Sequence, residues 1–351
     1  MTRILTSFLA SLMWASVGWA VEIPNNAAGH VFNPAWSADG RWLAFEVNDY
    51  EGTNDLYLVE VMSGAARGAA TKAQLPGARS SFSSGGTVAG AAVWHPQGAL
   101  IFEGSNAGGT TRLFLVTPGT QAASELIGSG LIKGDLSWPT VSPDGSKVMF
   151  VSDISGSGDI HVWDRGSNTV NRTLTSPFSE MAPSYNANGS KVAYSRKNRG
   201  GEDMFVIEGT NSRPWVGGNG DQSRPRWVGD SIIFFSNERG DDQWDIAISH
   251  KVGSKSVLAK DIRLPLRAAP ALSPDKQWIV YGVSDPTQSH KIFLTKVDGS
   301  KTIRINTGLI AAGEPQLADV GGQMMLSFTC LPKAGADWRQ LHVMNITNQM
   351  P

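Results

Sequence analysis

The sequence has one cysteine, Cys330, so no disulfide can form within the chain and stability has to come from packing. Charge is also scarce: Asp, Glu, Lys and Arg make up 17% of the residues and the net charge is −1. Nothing in that balance suggests the basic surface on which nucleic acid binds. Beyond the N-terminus no apolar run approaches the roughly 20 residues of a membrane-spanning helix, and no long stretch has helical spacing. A Gly-x-Ser-x-Gly nucleophile elbow is missing throughout. The histidines, His30, His95, His161, His250, His290 and His342, include no pair at metal-ligand spacing. The acidic loop Glu238–Asp245 lacks the ligand order of a calcium loop. The expectation is therefore a protein with no catalytic residue, no metal and no cofactor.

What is present begins with an export signal. Arg3 supplies a positive start, Ile4 to Val17 is mostly apolar, and Gly18 and Ala20 put small side chains where a signal peptidase cuts. Residues 1–20 are expected to be cleaved, leaving residues 21–351 as one domain with no transmembrane segment, periplasmic or secreted.

The mature sequence is a series of repeats. NPAWSADGRWLAFEVND starts at Asn33, WPTVSPDGSKVMFVSD at Trp138, APSYNANGSKVAYSRKN at Ala182, RPRWVGDSIIFFSNERG at Arg224 and APALSPDKQWIVYGVSD at Ala269. Weaker copies start at Ala91 and Glu314. Aligned on Pro34, the copies begin at 34, 92, 139, 183, 225, 270 and 315, a period mostly in the low to middle forties. Within a copy, Ser-Pro-Asp-Gly makes a tight turn: Pro presets one dihedral, Asp bonds its own backbone and Gly takes the left-handed position. Short apolar strands flank it, as in Val148–Val151. This grammar predicts an all-β, seven-bladed β-propeller of four-stranded antiparallel sheets, with six blades as the alternative. The last copy yields three strands, so its fourth is expected from the segment Val21 to Phe32, beside Gln340–Ile346.

The motif P-x-W-S-P-D-G, an apolar strand, S-D, then D-I-Y-V-x-D resembles the TolB-type propeller repeat, also called the PD40 repeat. Trp36-Ser37-Ala38-Asp39-Gly40, Ser142-Pro143-Asp144-Gly145 and Ser273-Pro274-Asp275 carry it. TolB itself has an N-terminal α/β domain before a six-bladed propeller; here the first repeat follows close behind the signal and seven copies are present. The resemblance implies a fold shared by periplasmic scaffold proteins, by propellers of prolyl-oligopeptidase-like enzymes and by oligogalacturonate lyases.

A propeller directs the starts of its inner strands at a central channel. The position before the aligned proline holds Asn33, Trp138, Arg224 and Glu314, with Glu180, Arg226 and Arg267 nearby; loops between second and third strands add Arg199 and Arg239. Arginines and an aromatic on a mixed polar rim match a protein-binding surface. The expected function is a non-enzymatic scaffold or component of an envelope assembly that binds protein partners, with a channel able to hold a peptide. The alternatives are a carbohydrate-active lyase of the oligogalacturonate type and a small-ligand-binding propeller. Trp36, Trp94 and Trp227 share one register and are expected to pack blade on blade.

Overall fold

The computed structural model describes residues 20–24, 28–49, 53–62, 65–66, 70–75, 88–105, 109–174, 176–283 and 291–351. Residues 1–19, nearly all of the expected export signal, and His290 lie outside the described residues.

Seven four-stranded antiparallel sheets stand in a ring as the blades of a propeller. The innermost strands are His30–Trp36, Val88–Trp94, Leu136–Val141, Glu180–Tyr185, Gln222–Val228, Ala271–Leu272 and Ile310–Val320, in blades 1 to 7. Two parallel contacts, Asn54 with Val88 and Gln74 with Ala122, link blades 1 and 2. Val21–Glu22 pairs antiparallel with Gln340–Asn345 as the outer strand of blade 7, so the first and last segments of the ring share one sheet.

The turn between first and second strands shows why the repeat reads as it does. In blade 3 the Ser142 hydroxyl donates to Asp144 at 2.6 Å and accepts from the Lys147 N–H at 2.9 Å, while Gly145 sits at φ 74°. The Ser142 and Ser146 donors hold the exposed Asp144 carboxyl down to about 2. Ser37–Asp39 and Ser273–Asp275 repeat the arrangement. In blade 2 His95 replaces the serine: its Nδ1 accepts from the Gln97 N–H at 3.1 Å, so Nε2 carries the proton and donates to the Gly145 carbonyl at 2.9 Å.

Blades pack through one repeated register. The indole N–H of Trp36 donates to Ser327 of blade 7, that of Trp94 to the Ala35 carbonyl of blade 1, and that of Trp227 to the Ser184 carbonyl of blade 4. Each of these tryptophans thus ties its blade to the preceding one.

A second register stacks aromatic rings between the second and third strands. The pairs are Phe45–Tyr57, Phe102–Phe114, Phe150–His161, Tyr194–Phe205, Tyr281–Phe293 and Phe328–His342, with centroids 5.6–6.0 Å apart. In blade 5 the same register sets Phe234 opposite Ala247. His161 and His342 therefore serve as buried rings. Burial disfavours the charged imidazole and lowers the pKa of both. As pH falls through about 6.5 the unfolded chain binds protons that the folded chain refuses, so both rings withdraw stability below that pH and none above it. The double variant H161F/H342F keeps the stacks without the titration. Its melting temperature should run parallel to wild type above pH 7 and fall less steeply between pH 6.5 and 5. Curves that stay parallel to pH 5 contradict this role.

Candidate functional site

The channel is built from a bulge repeated in the inner strands. Each of six inner strands shifts register at the residue before the aligned position, and there Asn33, Ala91, Trp138, Ala182, Arg224 and Glu314 hold φ between 45° and 53°. A bulge takes a backbone N–H out of its ladder, and that donor needs another acceptor. Side chains of the preceding blade supply it. The Asn33 N–H donates to Glu314 at 2.6 Å, Ala91 to Glu46 at 2.9 Å, Trp138 to Glu103 at 2.7 Å and Arg224 to the Ser195 hydroxyl at 3.1 Å. In five of the six, a proline follows and has no N–H to satisfy.

One side of the channel is crossed by the connector from blade 5 to blade 6. Arg267 of this connector reaches Glu103 of blade 2 at 2.9 Å. Blades 2 and 6 stand nearly opposite in the ring, so the ion pair spans the axis as a bar. Trp138 of blade 3 fits beneath it, with the Arg267 guanidinium 5.2 Å and the Arg224 guanidinium 6.0 Å from its ring. Arg224 also donates to the carbonyls of Pro265 at 2.6 Å and Ala268 at 3.3 Å, and Arg226 to that of Pro270 at 3.0 Å. These bonds hold the connector across the channel.

The electrostatics follow burial. Glu103 is 4% exposed; burial pushes its pKa up, and Arg267 and the Trp138 N–H oppose the rise. Burial also raises Glu314, against the Asn33 N–H, Arg263 and Arg339. Arg224 is lowered by burial, opposed by Glu202 and reinforced by Arg267. Arg226 is lowered by burial.

Below the bar the inner strands enclose a chamber of about 430 Å³. Of the residues read from sequence as a partner-binding rim, Asn33, Trp138, Arg224, Arg226 and Arg267 line it. Glu314 lies beside Asn33 under the connector. The other three are not part of the lining. Glu180 is 1% exposed and accepts from Ser176 and Arg196. Arg239 ties its loop to Asp245 of the third strand and to Asp261 at the start of the blade 5 to blade 6 connector. Arg199 is exposed at the hairpin tip between Lys191–Asn198 and Gly201–Glu208. Sequence reasoning missed Glu46 and Glu103. Their signal was a glutamate after phenylalanine inside an apolar second strand, in WLAFE and LIFE. Among the described residues no three His, Cys, Asp or Glu side chains converge as metal ligands, and no helix is long and apolar enough to cross a membrane.

Solved structures share this propeller fold. TolB from Acinetobacter baumannii superposes with a TM-score of 0.57 at 14% identity, over 76% of this chain and 64% of that one. A putative TolB from Agrobacterium tumefaciens gives 0.52 at 16%, over 66% and 81%. A puromycin-hydrolyzing peptidase from Mycobacterium tuberculosis gives 0.60 at 16%, over 86% of this chain and 49% of the peptidase. At such identity the likeness is one of fold, and this chain spans less than two thirds of the first of these proteins and half of the peptidase. The TolB β-propeller domain pattern matches residues 19–227, more than half of the chain. With that match and the repeated blades around the channel, the chain belongs to the TolB β-propeller family.

Proposed function

We propose that this protein is an exported, non-enzymatic propeller that docks a protein partner of the cell envelope on the face formed by its blade connectors. The observation that carries this is the distribution of exposed apolar side chains. Among the described residues, Leu131, Ile154, Phe178, Leu266 and Ile310 are 37–58% exposed and all belong to that face; only Val252 and Val257 are comparable elsewhere. Three of the five stand on consecutive segments. Gly134 of the Leu131 connector lies against the Ile154 backbone, and Ser157 donates to the Ser176 carbonyl beside Phe178 at 3.4 Å. An apolar arc rimmed by polar loops is the form of a protein contact surface.

Charge placed in the arc tests the reading. I154D and F178D should each weaken capture of the envelope partner by at least about tenfold, the scale of a central interface residue. V252D, on the opposite face, should capture it as wild type does. Equal capture by all three variants, each folded, removes this face as the docking site.

A further inference from the structure

The chamber below the bar has a composition that the docking face does not explain. Its lining contains Arg224, Arg226 and Arg267, with Glu46, Glu103 and Glu314 bonded to other lining residues; the remaining walls are mostly proline, alanine and tryptophan. Two of these arginines are already engaged. Arg267 is paired with Glu103, and Arg224 is bonded to two connector carbonyls and feels Glu202. Arg226 differs. It is half-buried, gives one N–H to the Pro270 carbonyl, and has no carboxylate among the groups acting on it. A guanidinium drawn away from water without a counter-charge is costly, and its planar fork is suited to a two-oxygen anion. Residues further along the inner strands, Trp36 and Trp94 among them, carry the chamber from the bar toward the turn face. It therefore lies on the far side of the bar from the docking face.

We propose that this chamber is a carboxylate seat, with Arg226 as the residue that receives the anion and the tryptophan and proline walls covering the apolar part of the ligand. A cavity of about 430 Å³ has room for a short acidic peptide end or a small organic acid. The shared chemistry is a carboxylate on a partly apolar body. Glu103 and Glu202 offset the charges of Arg267 and Arg224 at the roof, so the uncompensated charge that meets the anion is that of Arg226. The seat goes beyond the docking proposal and does not depend on it.

Calorimetric titration of the mature protein at low salt tests it, with tetraglutamate, tetraglutamine and succinate as probes. Tetraglutamate should bind and tetraglutamine should not. R226Q should weaken binding at least tenfold, and R226K, which keeps the charge and loses the fork, should fall between. Salt should weaken the wild-type affinity. Succinate binding with the same dependence on Arg226, in place of tetraglutamate, supports the seat and assigns it to free organic acids. R226K guards against an unfolded R226Q, and both are checked by melting. Wild-type affinity in a folded R226Q, equal binding of tetraglutamine, or no binding of either acid overturns the proposal. I154D and F178D should bind tetraglutamate normally, which separates failure of the seat from failure of the docking face.

Discussion

Replacing Glu103 by alanine should lower the melting temperature by roughly 5–10 °C, as removal of one partner from a buried ion pair costs about 2–4 kcal/mol once the partial exposure of Arg267 is discounted. The carboxylate answers two donors at once. One oxygen accepts the Trp138 N–H freed by the bulge, and Arg267 Nη2 lies against both. Alanine leaves the Trp138 donor without that acceptor and Arg267 without a counter-charge. E103Q keeps an acceptor for Trp138 and should cost less than half as much. R267M in the E103A background should recover part of the loss, because the unpaired cation is then gone. Thermal melts of wild type, E103A, R267M and the double variant close the cycle. Strictly additive losses would mean that the bar contributes no coupling between blade 2 and the connector.

The ring was legible in the sequence because its turns demand particular residues. A Ser hydroxyl that both donates to Asp and caps a backbone N–H cannot be replaced at will, so Ser37, Ser142 and Ser273 recur at one register. The packing of Trp36, Trp94 and Trp227 was legible for the same reason: one geometric position, one kind of side chain. The place of His161 and His342 in the aromatic register could have been read by aligning DIHVWD with DLYLVEV and RLFLVTP. The channel was less legible. Arg267 and Glu103 are 164 residues apart and meet only because the ring brings opposite blades together across the axis. Arg224, Arg226 and Arg267 look alike in sequence. Their difference is which acids stand nearby, and that is set by blades distant in the chain.

The second large effect concerns the point where the ring joins its ends. Ile23, just after the strand Val21–Glu22, is fully buried, and its N–H donates to the Leu341 carbonyl at 2.8 Å. Its side chain belongs to a cluster with Val31, Leu43 and Phe45 of blade 1 and Met325, Leu341 and Val343 of blade 7. The contact therefore joins two blades as well as filling a core. I23A removes a buried aliphatic side chain and should cost about 2–5 kcal/mol, or roughly 5–15 °C in melting temperature. V257A, on an outer strand of blade 5 and 48% exposed, should change little. A melting shift alone does not distinguish ring closure from ordinary core loss. Hydrogen exchange does, because lost closure opens the seam first. In I23A the amides of Gln340–Asn345 and Trp42–Asn48 should exchange faster, with those of Ser231–Ser236 in blade 5 nearly unchanged. Equal acceleration in all three strands would show that Ile23 stabilises the ring as a whole without holding its ends together.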